Sequence, residues 1–353
     1  FYKYKMIKRI LYTLLIMFPV VASAQINTDR VMAIGRNALY FEDYVLSIQY
    51  FNQVINAKPY LSDPYFYRGL AKINLDDFQG AESDCSEAIE RNPFVVSAYQ
   101  VRGLARIQQN NFAGAIEDYT KALEFDPENI GVWHNMALCR IRQEDYKGAK
   151  NDLDKLIAIS PRYTKAYLMR GEVDLKQKDT LAAEKDFGKA IEIDRYDSDT
   201  WASRAILRLQ QQRYKDAEAD FDHAIRLSTR NSGVYINRAL ARYHQNNLRG
   251  AMSDYDIALD IDPNNFIGHY NRGLLRAQVG DDNRAIQDFN FVIEMEPDNM
   301  MAIFNRGLLL DQTGDYKGAI KDYSTVINEY PNFLLGYQYR AQARKENRGC
   351  ERC

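Results

Sequence analysis

A chain of 353 residues that sets 46 Lys plus Arg against 48 Asp plus Glu carries a formal charge of −2. That near-balance gives no electrostatic footprint for nucleic acid or for an anionic membrane. Only four cysteines and four histidines occur, so metal and redox sites have little to draw on.

The first 24 residues read as a targeting segment. Lys3, Lys5, Lys8 and Arg9 precede an apolar run from Ile10 to Val21, and Ala22-Ser23-Ala24 follows. The run is shorter than the ~17–25 residues that a bilayer span needs. It suits the core of a secretory signal, with cleavage after Ala24, Gln25 as the mature N-terminus and Met6 as the start of translation. No cysteine follows the run, so lipid attachment is not expected; an uncleaved anchor is the alternative reading. Export of a protein without a stable membrane span is expected, to the bacterial periplasm or envelope or to the medium.

From Thr28 the sequence repeats every 34 residues, without insertion or deletion, through nine units: 28–61, 62–95, 96–129, 130–163, 164–197, 198–231, 232–265, 266–299 and 300–333. A period of that length marks a solenoid, whose units bury their apolar faces only against neighbours. In the unit from Thr164, the spacings of Tyr167, Arg170, Gly171 and Asp174, and then of Ala183, Phe187, Ala190 and Ile191, predict two amphipathic helices. The break between them carries Gly, Asp or Asn, as at Gly280-Asp281-Asp282. The second helix ends at Pro59, Pro93, Pro127, Pro161, Pro263, Pro297 or Pro331, because proline cannot continue a helix; Arg195 and Thr229 replace it in two units. A small residue (Gly69, Gly103, Ala137, Gly171, Ala205, Ala239, Gly273, Gly307) marks the close crossing of the two helices. The aromatic at Tyr119, Phe187, Phe221, Tyr255, Phe289 or Tyr323 fills the space beside it.

With its early aromatic (Tyr65, Tyr99, Trp133, Tyr167, Trp201, Tyr235), small residue, alanine, later aromatic and proline, the unit resembles the tetratricopeptide repeat. The resemblance covers nine units and a tenth first helix. It implies an all-α fold, an α-solenoid wound as a right-handed superhelix of about nine helix-turn-helix repeats. A capping helix over 334–347, polar with Gln338, Arg340, Gln342, Arg344 and Lys345, and a disordered tail over 348–353 complete the expected organisation. The first unit is the least typical, with Val31 and Ser47 at its aromatic and alanine places.

Aspartate recurs once per unit from Asp84 to Asp322, and arginine nearly as often from Arg68 to Arg340, with Met136 as the interruption. Such periodicity points to structural Asp–Arg pairs, made within a unit or across to the next, because guanidinium and carboxylate match as planar forks. An active site would be singular. The four histidines, His134, His223, His244 and His269, share no ligand spacing, and no nucleophile triad or phosphate-binding glycine loop stands out. No enzyme activity, cofactor or metal is expected. Cys85 and Cys139 read as packing residues, and the lone Cys350/Cys353 pair lacks the second pair of a zinc site.

The resemblance implies that the first helices line a concave face that receives extended peptides or partner helices. Asparagine stands two residues before the small residue at Asn135, Asn237, Asn271 and Asn305, the last three in consecutive units. Its amide offers a donor and an acceptor, the complement of one peptide unit. The run is similar to the asparagine-lined grooves of some superhelical family members. Ile236, Tyr270 and Phe304 flank this ladder, with Leu240, Leu274 and Leu308 further along, and His134 and Lys165 join the candidate groove set. A purely structural role for these asparagines and leucines is the competing reading. The family's clamp for a C-terminal carboxylate is incomplete, since Met169 stands where Arg would follow Lys165. The expected function is an exported, non-catalytic scaffold for protein–protein interaction, with envelope carbohydrate or an unfolded client as alternative ligands. Enlarging Ala183 to Leu is expected to overpack the helix crossing and destabilise the chain by about 1–3 kcal/mol, read as a lowered melting temperature.

Overall fold

A computed structural model describes residues 27–350. The expected signal segment, its cleavage site, Gln25 and Cys353 lie outside the described residues. The chain divides into two compact units, one ending at Tyr163 and the other beginning at Thr164. The first contains α1 (Thr28–Tyr40), α2 (Tyr44–Ala57), α3 (Asp63–Ile73), α4 (Phe78–Arg91), α5 (Val96–Gln108), α6 (Phe112–Phe125), α7 (Ile130–Arg142) and α8 (Tyr146–Ile159). The second contains α9 (Thr164–Lys176), α10 (Thr180–Ile193), α11 (Ser198–Gln210), α12 (Tyr214–Leu227), α13 (Ser232–His244) and α14 (Leu248–Ile261). It continues with α15 (Phe266–Gln278), α16 (Asp282–Met295), α17 (Met300–Gln312), α18 (Tyr316–Glu329) and α19 (Leu334–Cys350). No strand occurs among the described residues. Odd-numbered and even-numbered helices pair as hairpins, and within each unit every hairpin packs on the next, so each unit is an α-solenoid.

The turn inside each hairpin follows from local chemistry. The first helix closes with two reversed hydrogen bonds, such as Asp43 N–H to Ala38 O at 2.9 Å and Glu42 N–H to Leu39 O at 3.1 Å. This Schellman geometry places one residue in the left-handed region. Gly280 and Gly314 take it without a Cβ penalty, whereas Glu42, Asp76, Asn110, Glu144, Lys178, Gln212 and Asn246 hold it at φ of about +60°. The residue after it caps the second helix: Asp43, Asp77, Asn111, Asp145, Asp179, Asn247 and Asp315 each accept from the backbone N–H three residues on. Arg213 and Asp281 stand at the same place without a side-chain cap.

The small residue and the aromatic meet as the sequence predicts. Ala81, Ala115, Ala149, Ala183, Ala217, Ala251, Ala285 and Ala319 are fully buried, as are Tyr119, Phe187, Phe221, Phe289 and Tyr323. Cys85 takes the aromatic's place in its repeat and is buried, as is Cys139. Burial pushes the two thiols up to about 12 and about 11, so both are unreactive packing groups. Ser47, in the alanine slot of the first repeat, is buried with no hydrogen-bond partner for its hydroxyl.

The last helix departs from expectation twice. It runs to Cys350 rather than ending at 347, because Lys345, Glu346, Asn347 and Arg348 contain no breaker and Arg348 suits the negative end of the helix dipole. Its first turn is apolar and exposed at Leu334 and Leu335, so only its later turns form the expected polar cap.

Two glycines of one repeat test the seam. A Cβ on Gly171 would lie 2.5 Å from Phe187 Cε1, whereas one on Gly188 would meet nothing within 4 Å. Gly171→Ala is expected to destabilise by about 1–3 kcal/mol, and Gly188→Ala to stabilise by about 0.5–1 kcal/mol. Urea titration of both variants checks this; effects of the same sign would contradict it.

Candidate functional site

A repeated staple orients the first helices. Arg68 donates Nε and Nη2 to the two oxygens of Asp84 at 2.8 and 2.5 Å. The same fork joins Arg102 to Asp118, Arg170 to Asp186, Arg204 to Asp220, Arg238 to Asp254, Arg272 to Asp288 and Arg306 to Asp322. The fork therefore closes within a repeat. The remaining nitrogen reaches back: Nη1 of Arg68, Arg102, Arg238, Arg272 and Arg306 donates to Asn52, Ser86, Asp222, Asp256 and Asn290 of the preceding repeat's second helix. One guanidinium thus ties three helices. Gly188 occupies the acceptor place facing Arg204 and offers no side chain.

A second cation, one turn further on, reinforces most of these carboxylates. Lys72, Arg106, Arg208, Arg242 and Arg276 each pair with the same aspartate at 2.8–3.0 Å. Arg106, Arg208 and Arg242 also reach Glu82, Glu184 and Glu218 of the preceding repeat. Burial alone would raise the Asp288 carboxyl, but His269, Arg272 and Arg276 more than offset it and hold it below the ordinary range. His269 Nδ1 lies 2.9 Å from Asp288 Oδ1, and its Nε2 lies 3.0 Å from the Pro263 carbonyl. Both are acceptors, so both contacts form only when the ring carries two N–H groups.

Asp152 is the exception. Met136 replaces its forked arginine, and Arg140 alone approaches, Nε lying 3.2 Å from Oδ2 without hydrogen-bond alignment. Burial is the main cause that pushes this carboxyl up to about 6, with Arg140 opposing and Asp145 adding to it.

The sequence-predicted groove residues separate on this frame. Asn135 and His134 lie in the first unit, half-buried on α7, and His134 Nδ1 faces the Tyr163 hydroxyl at 3.4 Å. Lys165 belongs to the second unit and is exposed. Asn237, Asn271 and Asn305 stand half-exposed on α13, α15 and α17. Their amides differ: Asn237 donates to its own helix at Gly233 O (2.9 Å), Asn305 donates to the Tyr270 hydroxyl (3.1 Å), and Asn271 has no partner among the described residues. Ile236 does not line a groove. It is only 7% exposed and packs into the core, because the missing side chain of Gly268 on the next first helix leaves room for it. Tyr270 sets its ring edge-on to Phe289, and Phe304 meets Phe333 and Tyr339 edge-on with centroids 5.1 and 5.8 Å apart.

Sequence reasoning passed over a set of exposed apolar residues on the first helices. The second position of the first helix holds Asp63, Ser97 and Gly131 in the first unit and Lys165, Asp199 and Gly233 early in the second. It then turns apolar: Ile267, Met301 and Leu335 are 50%, 64% and 50% exposed on α15, α17 and α19. Beside Met301 lies a hollow of about 360 Å³ lined by Phe304, Val326, Tyr330, Phe333 and Asp298 among others. The change of residue class at one repeat position was the available signal.

Among the described residues no group of His, Cys, Asp and Glu is placed to hold a metal ion, and no helix is long and apolar enough to cross a membrane. Tandem helical hairpins presenting a graded face of asparagines and apolar side chains define a helical-repeat interaction scaffold. The chain belongs to the tetratricopeptide repeat family: profiles described as TPR repeat and tetratricopeptide repeat match residues 103–139, 130–163, 164–197, 203–266 and 270–332. No curated protein matches. Among solved structures, a tetratricopeptide repeat protein from Parabacteroides merdae is similar at 21% identity and a TM-score of 0.54, over 70% of this chain and 98% of its own. The C-terminal part of a repeat protein from Cytophaga hutchinsonii is similar at 17% identity and a TM-score of 0.56, over 67% and 97%. The Cut9–Hcn1 hetero-tetramer structure contains a chain that is similar at 13% identity and a TM-score of 0.54, over 82% and 57%. The family is one of protein-binding and peptide-binding scaffolds, generally without catalysis.

The Asp152 geometry predicts an unusual pH dependence. Its folded value of about 6 stands above the ordinary 3.8, so the native state binds the extra proton, and this group's contribution falls as pH rises from about 4 to about 6. Asp152→Asn is expected to remove a pH-dependent difference of about 2 kcal/mol, measured as the gap between mutant and wild-type stability at pH 4.5 and pH 7. A gap that does not change with pH would contradict it.

Proposed function

We propose that the chain is an exported scaffold that holds an extended peptide or partner helix of another protein against the exposed face of its first helices. The observation that carries this reading is the contrast between two apolar populations. The repeat core buries its alanines and aromatics almost completely, yet Ile267, Met301 and Leu335 stand exposed on three successive first helices. Clustered exposed apolar groups rimmed by polar ones mark interaction sites on soluble proteins. Asn271, with its amide free, lies four residues from Ile267 and so on the same helical face, and it offers a donor and an acceptor to a bound backbone. Asn305 keeps its carbonyl oxygen for the same purpose, its amide being held by Tyr270.

Export rests on Lys3 to Ala24, with the mature chain starting at Gln25 in the periplasm, at the envelope or in the medium. An envelope carbohydrate or unfolded client is the second reading, favoured by the exposed rings of Tyr330 and Tyr337. Tyr339 supports it less, because its ring already packs on Phe304 and Tyr323.

Photo-crosslinking in the native host tests the assignment. A photoreactive residue at Asn271 or Met301 is expected to yield a discrete protein adduct, and one at Lys189, on the exposed side of α10, is not. Adducts arising only from Lys189 would remove the first-helix face from the site. Asn237→Ala, Asn271→Ala and Asn305→Ala combined are expected to leave the helical signal intact and weaken the captured partner about five- to tenfold, the effect of losing about 1–1.4 kcal/mol of hydrogen bonding.

A further inference from the structure

The last two repeats differ from the others in charge as well as in apolar exposure. Residues 266–333 contain ten Asp and Glu against six Lys and Arg. Three of the six, Arg272, Arg276 and Arg306, are held in the staples, and Arg284 pairs with Asp281. The carboxylates are less committed. Asp298 is exposed, has no ion-pair partner among the described residues, and is the one charged group lining the hollow beside Met301. Glu294, at the end of α16, and Glu296, on the connection and bonded to Asn299, precede it. At the other end of α17, Asp311 faces Glu346 of α19, and burial followed by that neighbouring carboxylate raises its own carboxyl. The hollow in the apolar strip is therefore bordered by Asp298, a carboxylate with no ion-pair partner among the described residues, and an acidic pair lies at the far end of α17.

We infer that the face formed by α15, α17 and α19 binds a cationic amphipathic segment of a partner protein, an apolar side chain seated in the Met301–Phe304 hollow and a lysine or arginine beside it on Asp298. This rests on the first-helix face being the binding face. The hollow takes a bulky apolar anchor, and its flexible methionine wall adapts to the anchor's shape. Charge complementarity sets orientation and on-rate, since the rim remains wet. Packed helices lie ~8–10 Å apart, and an extended chain advances ~3.3 Å per residue. Apolar side chains at every third residue therefore fall on Ile267, Met301 and Leu335 in turn.

The test uses fluorescein-labelled 13-residue peptides and anisotropy on the full chain. The first has Leu at every third position and Lys between; the second replaces Lys by Glu; the third replaces Leu by Ser. The Leu/Lys peptide is expected to bind at least tenfold more tightly than either of the others. Asp298→Asn is expected to weaken it about threefold or more, and Ile267→Ser with Met301→Ser at least tenfold, with the helical signal unchanged. If the serine variants weaken the Leu/Lys and Leu/Glu peptides alike, the face stands as a binding site and its cationic assignment is overturned. If the Leu/Lys peptide binds undiminished to the serine variants, or none of the peptides binds, the face itself is not the site and both readings fall.

Discussion

Eight aspartates, one per repeat from Asp84 to Asp322, lose almost all contact with water on folding. A buried carboxylate is tolerable only where donors replace its hydration. Forked arginines meet that requirement at seven of the eight, Asp152 being the exception, and their five fixed N–H donors set the geometry. Two donors close on the carboxylate of the same hairpin, and a third is left pointing at the preceding hairpin's second helix. Where both contacts form, the rotation of the first helix about its axis and its distance from the previous repeat are fixed together. What the first helices then expose is a consequence of that rotation. Removing one partner of such a pair strands a buried charge, so each staple is far more sensitive to mutation than a surface ion pair worth ~0–1 kcal/mol.

Periodicity makes the departures from it informative. Met136, Asp174 and Gly188 each remove one member of the network: the forked arginine, the second cation and the backward acceptor. At Asp152 the outcome is a carboxylate whose protonation is favoured by the fold. At Asp288 the change runs the other way, since His269, in the slot six other repeats fill with tyrosine or tryptophan, adds a third partner. Its second ring nitrogen meets the Pro263 carbonyl, the contact that Trp133 and Trp201 make with Pro127 and Arg195. The histidine ring thus places its nitrogens at the tryptophan's carbonyl partner and at a carboxylate that tryptophan does not reach.

The hairpin repeat was legible because its determinants are local and recur: the Asp and Asn caps, the proline stops, and the small residue opposite an aromatic. The Asp–Arg pairing was legible as a pair, though not as a three-way tie. Spacing alone cannot say that Nε and Nη2 turn to Asp254 while Nη1 of the same Arg238 turns to Asp222. The face was read less well, because exposure depends on what the neighbouring repeat lacks. Ile236 looked equivalent to Tyr270 and Phe304 by position, yet Gly268 opens a space that draws it into the core. Asn237 shared a motif with Asn271 but turns its amide to its own helix, a choice available to any asparagine with a carbonyl four residues back. The apolar residues at the second position needed only a column-by-column comparison, in which Gly233 gives way to Ile267.

A rigid array of half-exposed side chains has a particular energetic consequence for recognition. Full burial of a side chain such as Ile, Met or Leu is worth ~1.5–3 kcal/mol, and Ile267, Met301 and Leu335 each retain about half of that, unused, on the free surface. Ile267 and Met301 sit on helices locked by buried staples, so little ordering cost falls on that part of the scaffold when a partner arrives. Most of that cost falls on the partner, whose backbone must extend or coil along the rungs. In the proposed binding mode, the Asn271 amide and the Asn305 carbonyl offset part of it by hydrogen-bonding main chain without regard to side-chain identity. Such a surface discriminates weakly by sequence at the asparagines and more strongly where a hollow or an unpaired carboxylate demands one kind of side chain. Both of those demands meet at Met301 and Asp298. In the proposed binding mode selectivity is concentrated at that one rung, and the neighbouring rungs contribute affinity roughly in proportion to how many of them the partner spans.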